Sequence, residues 1–403
     1  MNKRVLVIGA GFLQSFVIKR AKELGYVTLA VDADPEAVGF EYADAHAVIN
    51  IVDREACLAY ARQQKIDGVL TAATDYGVLT ASYIARELGL RGINYDSACI
   101  IKNKYLTRKC LFDHRVDDTE QGFEISKDTD IGAIMADVSY PVMVKPCDGS
   151  GSRGASRVDR QEDLAAACDI AMAASMSGRA VIERFIVGRE YGAESLVVNG
   201  EIHVLAIMRK WMTEPPYYAE LGHAIPTDLS PEVEQKARTC VENALRALGV
   251  DHGSVNMDML ITPDGKVYIV DIGARMGGNM IGPCIVPYGT GVDYMANMLR
   301  AAVGDPVDLV PGEHGAVATR LLAFGNGTIK RIPDLEELQR TYGVEIYHHM
   351  HVGQQVREYH TNLDGLGYIV ARADSAEAAA QRAQGALDYL AEYMFVDGQE
   401  GID

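Results

Sequence analysis

Asp258 and Asp271 lie thirteen positions apart, separated by Thr262-Pro263-Asp264-Gly265. If that tetrapeptide closes a hairpin, both carboxylates converge on one face. Two hard oxygen ligands on adjacent strands suit Mg²⁺, which keeps waters and shares phosphate oxygens. Arg275 follows four residues later, before Gly277-Gly278. A guanidinium there can hold a transferring phosphoryl group or an acyl-phosphate oxygen. Solvated strand-end acids are the competing explanation. KPCDGSGSRG at 145–154 is the second group. Its glycines and serines, including Ser150, Gly151, Ser152 and Gly154, have the composition of a flap that lays amides over phosphate oxygens. Lys145, on the preceding strand, supplies a fixed charge. This is no Walker A loop, because the lysine precedes the glycines and Gly-Lys-Ser/Thr is absent. An ordinary hairpin loop is the alternative here.

Weaker groupings flank these. Glu183 and Glu190 bracket a short strand and Gly188, placed so that one suits an adenine amine and the other ribose hydroxyls. Arg209, Lys210, Glu220 and His223 surround an aromatic and proline-rich segment at 211–218, which either orders over a substrate or packs a domain edge. His348, His349 and His351 have metal-like composition. Adjacent histidines on a strand point to opposite faces, however, and no carboxylate or cysteine completes a zinc set.

These groups need a scaffold. Residues 3–8 are mostly apolar and β-branched, as an inner parallel strand requires, and a helical run follows to Gly25. A strand ending at Asp32, helix 52–65, strand 67–73 and helix 80–90 continue a βα alternation that makes one open α/β domain. Gly9 and Gly11 either form the tight turn or expose helix amides to a small anion. Gln14 stands where a dinucleotide fingerprint needs a third glycine, which disfavours NAD, and Asp32 is equally well explained as a strand end. Asp75, at another strand's carboxyl end, is a candidate substrate contact.

The next stretch is less regular. A helix holding Lys104 and an Asp-rich connector lead to strand 141–146, helix 161–175 and strand 180–186. Paired strands then turn at Asn199-Gly200, and amphipathic helix 230–249 precedes the two aspartate strands. Strand 316–322, a histidine-rich connector, strand 366–373 and helix 375–393 read as a small α+β unit.

The formal net charge of -18 argues against a general nucleic-acid or anionic-membrane surface, and no apolar run approaches membrane-spanning length. Seven scattered cysteines without a CxxC pair, and no leader pattern, fit reduced thiols in a cytoplasmic protein. Cys147 and Cys284 read as packing residues.

In this order the motifs resemble the ATP-grasp superfamily, specifically the carboxylate–amine/thiol ligases that include biotin carboxylase, carbamoyl phosphate synthetase large-subunit halves, purine-pathway carboxylases and bacterial amino-acid ligases. IGAGFLQ at 8–14 and AKELGYVTLAVDADP at 21–35 resemble the preATP-grasp domain. YPVMVKPCDGSGSRG at 140–154 resembles the lysine strand and flap, and VIERFIVGREY at 181–191 the adenine–ribose strand. NMDML at 256–260 with YIVDIGARMGGNMI at 268–281 resembles the metal strands, and LGYIVARADSAEAAAQRA at 366–383 the C-terminal domain.

The resemblance implies an α/β and α+β multidomain chain with the ATP-grasp fold. A Rossmann-like preATP-grasp domain would occupy 1–97 and an ATP-grasp domain 98–310, with a mobile lid at about 125–195. A small α+β domain would occupy 311–403. Lys104 and Lys145 would contact ATP phosphates, with Lys145 also near the adenine, and residues 150–154 would form the flap. Glu183 would face the adenine amine, backbone around Phe185 and Ile186 would pair to the ring, and Glu190 would hold the ribose. Asp258 and Asp271 would bind Mg²⁺ (or Mn²⁺), and Arg275 would contact the phosphoryl group or the substrate carboxylate. Where the family's second metal strand reads Glu-x-Asn, this chain reads Asp271-Ile272-Gly273.

The implied reaction is ADP-forming ligation of a small carboxylate, an amino acid first, to an amine by a cytoplasmic homodimer. Weak substrate candidates are Gly11, Asp75, Lys210, Glu220, His223, Gly277 and Gly278, with Glu220 and His223 also candidate bases. The alternatives are a bicarbonate-activating carboxylase, an inactive nucleotide sensor motivated by Gly273, and an NAD-dependent oxidoreductase built on the first domain.

Overall fold

Strand β1 (Arg4–Ile8) is buried from Val5 to Ile8, which requires cover on both faces of its sheet. The computed structural model, which describes residues 2–396 apart from positions 121, 136, 150, 152, 216, 362 and 363, supplies that cover. Helices α1 (Phe12–Glu23), α2 (Arg54–Gln64) and α3 (Val78–Leu88) alternate with β2 (Val27–Asp32), β3 (Ala45–Val48) and β4 (Gly68–Thr71). All four strands are parallel, in the order β3-β2-β1-β4. Gly9, at φ +99°, makes the turn that starts α1 directly above the strand ends.

Two short helices, α4 (Tyr95–Ile101) and α5 (Lys104–Asp113), lead out of this unit. Each begins where an asparagine side chain, Asn94 or Asn103, accepts a hydrogen bond from a first-turn amide. A second sheet follows from β5 (Phe123–Ile125), β6 (Val142–Pro146), β7 (Ser156–Val158) and β8 (Ala180–Arg184), in the order β5-β8-β6-β7 and antiparallel throughout. Helices α6 (Ile131–Met135) and α7 (Leu164–Ala174) accompany it. Its apolar face, with Ile125, Val144 and Ile182, packs on Leu164 and Cys168 of α7.

The largest sheet is built by β9 (Arg189–Val198), β10 (Glu201–Met212), β11 (Glu220–Ile225), β12 (Gly253–Ile261) and β13 (Val267–Gly273). Between β11 and β12 runs α8 (Pro231–Ala247), whose Ala237, Val241 and Leu245 pack against it. After α9 (Val286–Thr290) and α10 (Tyr294–Val303) come β14 (Ala316–Leu321), β15 (Gly327–Thr328), α11 (Leu335–Tyr342), β16 (Val344–His348), β17 (Gln355–Val356), β18 (Gly367–Ala373) and α12 (Ala376–Met394). The eight-stranded order is β13-β12-β9-β10-β11-β14-β18-β16, with β15 and β17 as a separate pair. The stretch read as a small α+β unit therefore extends the central sheet, through Ala224↔Ala318 and Ile225↔Val317.

Both anticipated turns form. Asn199 and Gly200 have φ of +52° and +83°, the paired positive values a two-residue hairpin demands. Strand β11 was not assigned from the sequence, where Glu220 and His223 break its apolar pattern; Glu220 pairs with Lys210, and His223 stands opposite that lysine in the ladder. Helix α11 and strand β16 lay in the region read as a histidine-rich connector. No described helix is long and apolar enough to cross a membrane.

Candidate active site

The β12–β13 hairpin sets Asp258 directly opposite Asp271, and Asn256 opposite Gly273. Lysines reach both aspartates. Lys210, on β10, extends across β9 to Asp258 at 2.7 Å, Glu220 at 2.6 Å and Glu190 at 3.2 Å. Its side chain is 1% exposed, and although burial opposes its charge, Asp258, Glu220 and Glu190 raise its pKa well above the usual lysine range. Burial pushes the Asp258 carboxyl up, Lys210 opposing. Lys104, from the start of α5, pairs with Asp271. Burial opposes ionisation there too, but Lys104 and Lys145 hold the Asp271 carboxyl below the usual carboxylate range.

Lys145 on β6 meets Glu183 on the neighbouring β8 at 2.6 Å. Arg108 approaches the same carboxylate at 3.3 Å, donates to the Ile269 carbonyl at 2.7 Å and lies 3.7 Å from Asp117. Burial opposes the Glu183 charge, yet Lys145 and Arg108 keep its carboxyl below the usual range. These groups open onto a cleft of about 890 Å³ between the second sheet and the hairpin. Met143, Phe185, Leu260, Val270, Leu13, Trp211, Asn279 and Tyr368 also line it. Phe185, expected to pair to an adenine ring through its backbone, donates its N–H to Pro141 at 3.2 Å, so that donor is already engaged. Ile186 also lines the cleft.

Arg275 is held from two directions. Its Nε lies 2.9 Å from Asp75, and its Nη1 donates to Asn256 at 3.3 Å. Asp75 arrives there because the end of β4 docks onto the segment after β13, with the Ala73 amide donating to the Met276 carbonyl at 2.9 Å. A Cβ at Gly273 would stand 2.7 Å from Arg275 Cζ, so the guanidinium as placed here requires a glycine there or would have to shift. A Cβ at Gly277 would stand 2.9 Å from both Asn256 and Glu194. Gly278 lies against Leu13, and Gly11 precedes the first turn of α1.

Of the other sequence candidates, Glu220 and Gly151 line the cleft and the rest serve elsewhere. Gln14 donates to the Ala72 carbonyl at 2.6 Å, and Asp32 accepts from Ala10 and Asp34 amides, so both serve the turn. His223 is 2% exposed, and burial pushes its imidazole down to about 4. Glu220 is held between Lys210 and Asn279. His349 packs edge-on against Phe12. Burial pushes the Cys147 and Cys284 thiols up to about 12, where neither is a nucleophile at neutral pH. Gly151 and Gly154 have positive φ, as a tight loop requires, while Ser150 and Ser152 lie outside the described residues.

Sequence reasoning missed Arg108, Asn256 and Glu194. Arg108 sits one turn beyond Lys104 on the same helix face, and Glu194 shares a strand face with Glu190, so both signals were present in the spacing. Among the described residues no group of three or more His, Cys, Asp or Glu is placed to hold a metal. Asp258 and Asp271 thus fit Mg²⁺ only as part of a shell completed by phosphate oxygens and water, which is how that ion usually binds.

Residues 138–283 match the family model of the ATP-grasp domain, and residues 320–391 match L-amino acid ligase C-terminal domain 2. An uncharacterized protein of Sinorhizobium fredii is 25% identical over 388 residues, 92% of this chain and 79% of that one. The D-alanine--D-alanine ligase of Cupriavidus necator is 28% identical over 200 residues, and the match spans 46% of this chain and 59% of that enzyme. Among solved structures, L-amino acid ligase from Bacillus licheniformis superposes with a TM-score of 0.81 at 24% identity, over 96% of this chain and 98% of that one. The biotin carboxylase domain of Hydrogenobacter thermophilus 2-oxoglutarate carboxylase, solved with MgADP and bicarbonate, gives 0.77 at 20% identity, over 96% and 90%. These superpositions show the fold. The two family matches, in chain order on that fold, identify an ATP-grasp domain followed by an L-amino acid ligase C-terminal domain.

Proposed function

We propose that this protein activates the carboxylate of a small substrate, an amino acid first among them, as an acyl phosphate and transfers the acyl group to an amine. The observation that carries this reading is one cleft lined by Lys104, Lys145, Asp258, Asp271 and Arg275. It joins charges for a polyphosphate to a guanidinium clamped for a carboxylate. Similarity to an L-amino acid ligase C-terminal domain favours amino acids as substrates.

In this reading Lys104 and Lys145 hold phosphate oxygens of ATP while Glu183 and Glu190 flank its nucleoside. Asp258 and Asp271 would hold Mg²⁺, which when bound neutralises charge on the phosphates. Arg275, fixed by Asp75 and Asn256, orients the substrate carboxylate for attack on the γ-phosphorus, and ADP leaves. The amine then attacks the acyl carbon, Arg275 stabilises the oxyanion, and inorganic phosphate departs with the amine's proton. Neither candidate base is free for that proton: His223 is enclosed, and Glu220 is held by Lys210 and Asn279.

The test is to incubate the protein with MgATP and amino acids or small carboxylates, singly and in pairs, while following ADP, AMP and product mass. ADP that requires a particular pair, with a product lighter than the pair by one water, supports the ligase. ADP that requires bicarbonate instead would convert the reading to a carboxylase, and AMP would end the acyl-phosphate mechanism.

A further inference from the structure

Glu194, on β9, is fully buried, and none of the steps above employs it. It is enclosed by donors. The Tyr294 hydroxyl donates to one carboxylate oxygen at 2.6 Å, and the Gly277 amide donates to the same oxygen at 3.1 Å. Asn256 Nδ2 donates to the other oxygen at 3.0 Å. On its far side, Asn256 Oδ1 accepts from Arg275 Nη1 at 3.3 Å. An ionised carboxylate only accepts and a guanidinium only donates, so the amide between them has a single workable orientation. Gly277 has no room for a side chain, because a Cβ would press on both Asn256 and Glu194.

We propose that Glu194 is a positioning residue for the substrate-facing guanidinium: it sets the orientation of the Asn256 amide, and the amide sets the aim of Arg275. The proposal rests on the assignment of Arg275 to the substrate carboxylate. Glu194 itself does not line the cleft. Its influence passes through a chain that begins at Tyr294 and Gly277, crosses Asn256 and Arg275, and ends at Asp75.

The donor–acceptor pattern can be reversed by substitution. In E194Q the remaining side-chain oxygen must still serve Tyr294 and Gly277, which turns the new NH₂ toward Asn256. The Asn256 amide then has to flip, and it presents its own NH₂ to Arg275. In E194Q/N256D the negative charge moves one step along the chain, and the carboxylate introduced at position 256 accepts both from the amide introduced at position 194 and from Arg275. N256D alone sets two carboxylates against each other.

The experiment compares wild type, E194Q, N256D and E194Q/N256D at pH 8, above the value of about 7 to which burial pushes the Glu194 carboxyl. With the amino-acid pool as substrate, each single variant should raise the KM for the activated carboxylate about tenfold, the scale of one buried hydrogen-bond mismatch. The double variant should return to within about threefold of wild type, and the KM for ATP should stay unchanged throughout. A substrate-free arm uses [¹⁵N]arginine NMR of the whole chain. The Arg275 Nε–Hε resonance, identified by its loss in R275K, should shift in E194Q and move back in the double variant. A resonance and a KM unmoved in E194Q, or a double variant no better than the worse single, would overturn the proposal. If no amino acid supports ADP formation, the ligase reading fails while the NMR arm still decides on Glu194.

Discussion

Asp258 stands directly opposite Asp271 in the β12–β13 ladder, yet the two are neutralised from different parts of the chain. Lys210 of β10 reaches Asp258 from within the central sheet, whereas Lys104 of α5 reaches Asp271 from the cleft side. Each carboxylate is thus already paired with an ammonium group. The Lys210 side chain is enclosed, whereas that of Lys104 is partly exposed along the cleft, where in the proposed reading it meets phosphate.

Lys210→Met should be strongly destabilising, because it leaves Glu190, Glu220 and Asp258 facing one another without their shared cation. Removing one partner of a buried ionic cluster costs on the order of 3–5 kcal/mol. Urea denaturation measures this, and Mg²⁺ should restore part of the loss in the variant. Stability within about 1 kcal/mol of wild type would show that the cluster is inert.

Gly273→Asn, which writes back the asparagine of the family's metal strand, should impair the protein rather than improve it. Its Cβ would arrive 2.7 Å from the Arg275 guanidinium and displace it. ADP formation with the amino-acid pool should fall at least about tenfold, in line with misplacement of an orienting group. Equal or higher activity would mean that Arg275 has another workable position.

Asp75→Asn and Arg275→Lys should not act independently. Each breaks the same 2.9 Å contact between Asp75 and the guanidinium Nε, so each should raise the KM for the carboxylate, and the double variant should be no worse than Arg275→Lys alone. Additive losses would place the two residues in separate roles.

His223 gives the stability a defined pH dependence. Burial depresses its imidazole to about 4, against about 6.5 in an unfolded chain. Between those values the unfolded state binds more protons, so stability is lost as pH falls from 6.5 toward 4 and the loss levels off below that. The contribution is on the order of 3 kcal/mol. Urea midpoints at pH 7.5 and 5 should differ less in His223→Gln than in wild type, and identical differences would remove His223 from the account.

What the sequence determined by itself was whatever local chain physics decides. Asp264-Gly265 closes a hairpin, with Gly265 at φ +78°, so the spacing of Asp258 and Asp271 was enough to bring them together. The βα alternation of the first unit was legible for the same reason, since turn residues and strand periodicity act over a few positions.

The partners of those residues came only with the tertiary structure. Lys210 meets Asp258 because β9 separates their strands by one place in the sheet, and Arg275 meets Asp75 because β4 docks beyond the end of β13. Glu194 becomes a buried acceptor only when β9, β12 and α10 close around it. Side-chain partnership at such distances follows strand order and docking, and neither is written in the spacing of residues along the chain.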